Sequence, residues 1–549
     1  MKFHSYATAL LLTSTTLVSS TPISAESSHS LDSSKRAITI RQTDKAAAVR
    51  EAFLHAWKGY SETCFGRDYY FLFTKTAEPC NDYDHHWGLS AVSALTTAIV
   101  METPDVVNQI LQHISGLDFW SGTYTVDGNT YRRAMSTAGG TTTYLASMLS
   151  AYDLLRGPFK HLGIKSSLVD MLLSQSKTVA NRMLNAYDSR DNIFDVYSWI
   201  DRNASSDSPL SGYALLSDAG SMVLEWCHLS DLTGNATYCN IAQKQEALLV
   251  KPKRPPVAEA FPGLLSSYVQ RENLPAYKYD DDVTWGVDHA YYTTLLNMFV
   301  YDPKKYKAFG NYWKKAATST LNNLIRPSET QSNLNFLVIF DDIEIKTTEY
   351  ETSCHAAGNL IYGGTLLSQN NLITLGTKLL RTCHHIWKSM PTGLPPQDYQ
   401  LSGALLDYRE AGDLVPPDNF TFAREMYNKK GFWSMFNGYA LQKSTPESYY
   451  YAYRATGDMI WRDWAWEAFL AINKTARVPG GFVNVDSDKL DGWKPDETAE
   501  WTRQQQPALF GTLKYLYMVQ KGDAPWQVNT GNGNKYVYNS EGHPLKVQN

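Results

Sequence analysis

Hydrophobic residues recur at helical spacing along most of the chain. In "AAAVREAFLHAWKGY", Val49, Phe53, Ala56, Trp57 and Tyr60 fall on one helical face. In "MIWRDWAWEAFLAINKTAR", Trp461, Trp464, Ala465, Ala468 and Ile472 do the same. Residues three and four apart share a face of an α-helix, so the spacing predicts amphipathic helices. A punctuation recurs between them: "LEWCHLSDLTGNATY" and "YYAYRATGDMIW" both run helix, then Thr-Gly-Asn or Thr-Gly-Asp, then a new helix. Glycine supplies the left-handed cap, and the polar residue after it starts the next helix. "LSAYDLLRGPFKHL" and "LKYLYMVQKGDAPW" are weaker versions. Helical hairpins repeated without a linker predict an all-α array closed into a ring rather than an open solenoid. The ring is expected to begin after a polar, Ser-rich segment ending near Lys45. The Pro-rich stretches "VKPKRPPVAEAFPG" and "LVPPDN" are expected to be surface loops, and short strands are expected around "FLVIF" and "KYVYN".

Composition agrees with a globular chain. Its 549 residues are 43% hydrophobic with a formal net charge of −5, which gives no reason to expect a nucleic-acid partner. The 35 Tyr and 15 Trp are core material, but aromatic faces also stack on sugars. Residues 1–25 read as a secretory leader: Lys2, the apolar stretch "YATALLLTSTTLVSS" and a cleavage site at "ISA" ending at Ala25. The apolar run is too short for a membrane span. The division expected is therefore a leader (1–25), a polar segment (26–45) and one domain (46–549), secreted, without a membrane span and monomeric. Six cysteines fall into three local pairs, Cys64/Cys80, Cys227/Cys239 and Cys354/Cys383. With the sequons at Asn203, Asn235, Asn419 and Asn473, they point to an oxidising secretory compartment. "CHH" at Cys383–His385 is no metal site, because adjacent helical residues point to different sides.

The chain lacks a G-x-S-x-G elbow, a phosphate loop and a dinucleotide fingerprint. Carboxylates and aromatics spread over helical hairpins remain, the material of a glycoside hydrolase, in which one carboxyl protonates the leaving oxygen and another activates water. Several blocks in order resemble glycoside hydrolase family 47, the class I α-1,2-mannosidases: "REAFLHAWKGY", "WGLSAVSALTTAIVM", "LASMLSAYDL", "GSMVLEWCHLSDLTGN", "GVDHAYY", "SCHAAGNLIYGG", "TCHHIWKSMPTGLPPQ", "TPESYYYAYRATGD", "LKYLYMV" and finally "YNSEGHPLKV". The resemblance runs from about Arg41 to the C-terminus. It implies an (α/α)7 toroid with short capping strands, activity on mannose-containing glycans and a disulfide between Cys354 and Cys383.

The resemblance also implies site residues. Ser540 stands where the family has a Thr whose hydroxyl and carbonyl oxygens hold calcium (Ca2+), and both oxygens are retained. Glu541 and His543, in the same block, are implied to touch substrate. Asp288 matches a catalytic-site Asp and Glu447 the general base. Other positions depart from the family. The general-acid Glu becomes Gly139 and its Arg becomes Thr143, two Asp become Ser93 and Thr96, a Glu becomes Gln397, Arg-Pro-Glu becomes Gln442–Ser444, and another Glu becomes Gln505. No Glu lies anywhere in "NTYRRAMSTAGGTTTYLASML". The reading is a divergent, secreted glycosidase with weak or altered α-mannosidase activity. In it Asp288 acts as the acid, directly or through a water, and Glu447 as the base. The alternatives are a glycan-binding protein that lost catalysis and a hydrolase retargeted to another glycosidic bond.

Overall fold

The computed structural model describes residues 29–72, 80–81, 87–126, 129–199, 213–250, 259–270, 282–341, 344–403, 420–489, 504–505, 507–530 and 533–548. The expected leader, the sequons at Asn203 and Asn419, "LVPPDN" and most of the first Pro-rich stretch lie outside these residues. The rest of that stretch forms a tight hairpin, Glu259–Phe261 with Leu264–Leu265.

Seven helices among the described residues are buried on nearly every side: Leu89–Val100, Ala146–Arg156, Val223–Thr233, His289–Tyr301, Cys354–Leu366, Ser444–Thr456 and Ala508–Gln520. Each packs on the next in this order, and the last returns to the first, so they close a ring. Seven further helices back them: Pro104–Ser115, Ser166–Met183, Thr237–Val250, Lys307–Asn323, Asn370–Ser389, Ile460–Thr475 and, behind Ala508–Gln520, His29–Thr63. Sequence pattern sorts the two layers. An apolar stripe on one face suits a helix with solvent behind it, and apolarity all round suits one enclosed on both sides. Pro104–Ser115 buries only the stripe Val106, Val107, Ile110, Leu111 and Ile114. Leu89–Val100 is buried almost throughout from Ser90 to Val100. The fold is the expected (α/α)7 barrel.

The helical faces fall where the periodicity put them. Val49, Phe53, Ala56, Trp57 and Tyr60 are buried, as are Trp461, Ala465, Ala468 and Ile472, while Trp464 is half-buried against the ring of His384. Gly234 and Gly457 take φ of 70° and 71°, the left-handed caps that the Thr-Gly punctuation predicts. One boundary differs: the first helix starts at His29, well inside the segment expected to precede the helical region. Its Lys, Arg, Gln and Ala residues favour helix even where no apolar stripe marks it. The six cysteines pair as expected, with Cα–Cα separations of 5.4 Å for Cys64–Cys80, 4.1 Å for Cys227–Cys239 and 6.1 Å for Cys354–Cys383. The last two each tie an inner helix to its outer partner, which restricts the unfolded chain.

Short strands decorate the ring. "FLVIF" contributes Asn335–Leu337 and Ile339–Asp341. The C-terminal hairpin, Tyr536–Tyr538 with Pro544–Lys546, runs up the bore. Asn297 Nδ2 donates to the Tyr538 carbonyl at 2.6 Å and Ser150 Oγ to the Pro544 carbonyl at 2.6 Å. The Lys546 amide donates to Asp153 at 2.8 Å. The chain end is therefore a plug held by the inner helices.

Candidate active site

The plug's tip, Asn539–His543, comes up among the N-terminal ends of the inner helices. Asn539 organises it. Its side-chain oxygen accepts from the amides of Glu541 and His543 at 3.1 and 2.8 Å. Its amide group donates to the Thr142 carbonyl and to Glu225 Oε1, each at 2.8 Å. Burial pushes the Glu225 carboxyl up to about 8, so it stays protonated at neutral pH. At Gly542, φ is 74° and an added Cβ would sit 3.0 Å from the Tyr515 ring, so a glycine is needed at this turn.

Two cavities open at this mouth. The larger, about 500 Å³, is walled by His289, Tyr350, Glu351, Gln397, Tyr439 and Gln442, with Gly286 and Val287 at its edge. The smaller, about 220 Å³, is walled by Tyr69, Ser93, Thr143, Lys443, Glu541 and His543, with the first turn of Ala508–Gln520 beside them. The neutral residues that depart from the family pattern therefore line the mouth: Ser93 and Thr143 in the small cavity, Gln397 and Gln442 in the large one. Ser444 is buried at the start of its helix, and Gly139 ends a short turn before a π-helical segment, Gly140–Leu145. Such π-helical segments often mark functional sites. Gln505 lies on a strand paired with Tyr70.

Asp288 and Glu447 both stand at N-terminal ends of inner helices. Asp288 is the N-cap residue of His289–Tyr301, 1% exposed, and accepts from Ser267 Oγ at 2.5 Å, while Oδ1 has no partner. Burial pushes its carboxyl up to about 7, opposed by the Ser267 and Ser217 hydrogen bonds and reinforced by Asp218 and Asp282. Glu447 lies in the first turn of Ser444–Thr456, 5% exposed. Burial also raises it to about 7, with Glu541 adding to the rise and Lys443 and Lys514 opposing it. The two carboxyls thus have separate surroundings, and a pair of stacked imidazoles lies between them. His289 follows Asp288 in the chain and stacks on His355 at 3.9 Å, and His355 Nδ1 is 3.2 Å from Glu447 Oε2. His289 Nδ1 faces the Gly286 carbonyl at 3.1 Å, and a carbonyl only accepts, so Nδ1 carries the proton. Burial, His355 and Lys443 lower His289 to about 3, so the ring is neutral.

The sequence profile of glycosyl hydrolase family 47 matches residues 52–547. The chain belongs to glycosyl hydrolase family 47. It is 36% identical over 506 residues to the mannosyl-oligosaccharide α-1,2-mannosidase of Penicillium citrinum, covering 92% of each chain. It is 35% identical over 507 residues to mannosyl-oligosaccharide α-1,2-mannosidase 1B of Aspergillus oryzae, again 92% of each. In structure it is similar to the α-1,2-mannosidase of Trichoderma reesei, with a TM-score of 0.81 and 32% identity, covering 92% of this chain and 99% of that one.

Several residues of this family 47 site carried no recognisable signal in the sequence. Lys443 is buried and donates to Glu541 Oε2 at 3.1 Å. Lys514, 1% exposed, donates to Thr96 Oγ1 at 3.0 Å. Burial and the neighbouring Lys443 lower the Lys514 amine to about 7, and Thr96 Oγ1, 2.9 Å from His543 Nδ1, bridges the lysine and the imidazole. Glu351, 3% exposed, precedes Cys354–Leu366 and accepts from Thr445 Oγ1 at 3.2 Å. His289 and His355 sat in plain view inside quoted blocks, but their stacking depends on two inner helices meeting.

The surroundings of Ser540 bear on calcium. Ser540 is buried and keeps its two oxygens, and Glu541 is the adjacent carboxylate. That carboxylate is already ion-paired to Lys443, and both Lys443 and Lys514 act electrostatically on Glu541 and Glu447. Among the described residues no three His, Cys, Asp or Glu side chains group as a metal-ligand set. Calcium takes six to eight oxygens from carboxylates, carbonyls and waters, and here the two Ser540 oxygens are joined by a single carboxylate that Lys443 already holds. The residues at the tip do not fit it.

Proposed function

We propose that this chain is a glycosidase of the secretory pathway that hydrolyses α-linked mannose in glycans, with activity weaker than or altered from that of its relatives. The supporting observation is the pair of buried carboxyls, Asp288 and Glu447, at inner-helix N-termini, each with a pKa near 7. Buried carboxyls poised at neutrality, next to His289 and Lys443 of the cavity walls, are the material of general acid–base chemistry. Glu447, beside the Lys443 ammonium, takes the proton of the attacking water. The water oxygen bonds to the anomeric carbon as the glycosidic C–O bond breaks. Asp288 supplies the proton to the leaving oxygen. Its side chain faces Ser267 rather than the cavity, so a water carries that proton outward. The substrate class rests on the relatives, named for mannosyl-oligosaccharides, and secretion rests on the leader-like residues 1–25 with three disulfides. No helix of the described residues is long and apolar enough to cross a membrane.

A second reading, glycan binding without hydrolysis, is favoured by the neutral Ser93 and Gln397 at the mouth, where the family pattern is acidic; Gly139, Thr96, Ser444 and Gln505 also stand at acidic positions of that pattern. Turnover of α-1,2-mannobiose decides between them. Hydrolysis abolished by Glu447→Gln supports the first. Binding of the disaccharide by wild type with no turnover, unchanged in Glu447→Gln, overturns it and supports the second.

A further inference from the structure

The hairpin tip carries an unusual charge arrangement. Two lysines, Lys443 and Lys514, are buried beside two carboxyls, Glu541 and Glu447; the carboxyls keep Lys443 above the ordinary lysine value despite its burial, whereas burial and Lys443 lower Lys514 to about 7. Lys514 takes the hydroxyl of Thr96 as its hydrogen-bond partner, on the inner helix Leu89–Val100, and that hydroxyl in turn orients His543. Lys443 caps the helix Ser444–Thr456 and reaches across the small cavity to Glu541, whose side chain is 40% exposed. The cavity of about 220 Å³ between them has room for part of a sugar ring, and its walls are Ser93, Thr143 and His543. The first turns of Leu89–Val100 and Ala508–Gln520 also face it, and helix N-termini add partial positive charge.

We propose that Lys443 supplies the positive charge at this tip without a metal ion, and that the Lys443–Glu541 pair grips two neighbouring hydroxyls of a pyranose. The proposal rests on the reading of the mouth as a glycan site. The chemistry of the pair suits a vicinal diol. An ammonium donates to one hydroxyl oxygen while a carboxylate accepts from the next hydroxyl, and charge-assisted hydrogen bonds of this kind are the stronger ones. Glu541 Oε2 is held by Lys443, and no described residue donates to Oε1, which leaves it for the sugar. A divalent cation placed against Ser540 and Glu541 would compete with Lys443 for the same carboxylate and be repelled by its ammonium group. Thr96 and Ser93 supply hydroxyls where the family pattern has carboxylates, which removes the charge that would offset such a cation.

The test uses the full-length protein. After dialysis against calcium and then calcium-free buffer, elemental analysis is expected to find far less than one calcium per chain. Methyl α-mannoside is expected to bind with the same affinity in calcium and in chelator, by calorimetry. Lys443→Gln and Glu541→Gln are each expected to weaken that binding by about tenfold. Stoichiometric calcium, binding lost in chelator, no binding in either buffer, or folded variants with wild-type affinity would each overturn the proposal. Should both variants fail to fold, the two wild-type measurements decide it. Metal-independent binding without any turnover would overturn the hydrolase reading alone.

Discussion

Asp288 and Glu447 are two buried carboxyls at inner-helix N-termini, and burial lifts both to about 7. Their neighbours differ in sign. Around Asp288 the further charges are Asp218 and Asp282, which resist ionisation. Around Glu447 they are mixed: Lys443 and Lys514 favour ionisation and Glu541 resists it. A like charge nearby makes a carboxyl keep its proton, and an opposite charge makes it release the proton. One carboxyl has neighbouring charges of its own sign only; the other has charges of both signs, led by Lys443. The proposed donor and acceptor roles rest on that contrast, because desolvation alone would treat the two alike.

Removing either group gives the largest effect. Glu447→Gln and Asp288→Asn are each expected to lower kcat/KM on α-1,2-mannobiose by at least about 10²-fold, with binding of the disaccharide largely retained. Glu447→Gln is expected to abolish the acidic limb of the pH profile, and Asp288→Asn the alkaline limb. Loss of the same limb in both variants would break the comparison.

Stability should report the same two groups. The folded state keeps the Asp288 proton up to about pH 7, whereas an aspartate in the unfolded chain loses it at about pH 4. Wild type therefore loses stability as pH rises from about 4 to about 7, and a variant that cannot ionise does not. Asp288→Asn is expected to gain on wild type by at most about 4 kcal/mol between pH 4 and pH 8, at about 1.4 kcal/mol per unit. Glu447→Gln is expected to gain in the same direction over the window from about 4.5 to about 7. Urea unfolding at both pH values measures this. Parallel pH curves for all three proteins would show that neither carboxyl is buried in its charged form's disfavour.

Two smaller changes act on the neighbours. Lys443→Met removes the leading cation beside Glu447 and is expected to move the acidic limb up by about one pH unit while the alkaline limb stays. Asp218→Asn removes a like charge beside Asp288 and is expected to move the alkaline limb down by a few tenths of a unit, roughly. A shift of both limbs by either variant would mean that the two carboxyls titrate as a coupled pair.

Much of the architecture was legible in the chain. The stripe on Val49, Phe53, Ala56, Trp57 and Tyr60 predicts which side of the first helix is buried, and Gly234 and Gly457 mark helix ends because a left-handed residue is needed there. Cysteine proximity predicted all three bridges. The helix start at His29 was not legible, since propensity without an apolar stripe leaves no periodic signal. In the site, the family resemblance pointed to Asp288, Glu447 and the tip residues Ser540, Glu541 and His543; Glu541 and His543 line the small cavity, and Ser540 is buried beside them. Lys443 and Lys514 went unread, because a lysine on a helix is ordinarily a solvated side chain.

The sequence by itself determined the local matters: which segments are helices, where they stop, which faces are apolar and which cysteines are near enough to pair. These follow from interactions among residues a few positions apart. Tertiary structure alone decided that Lys443 meets Glu541 across 98 positions and that Lys514 meets Thr96 across 418. It alone also stacked His289 on His355. The ring brings seven helix ends to one mouth, and burial there turns ordinary polar side chains into groups whose charge depends on their neighbours. Desolvation and Coulomb interactions act through space, so the character of the site exists only after the ring has closed.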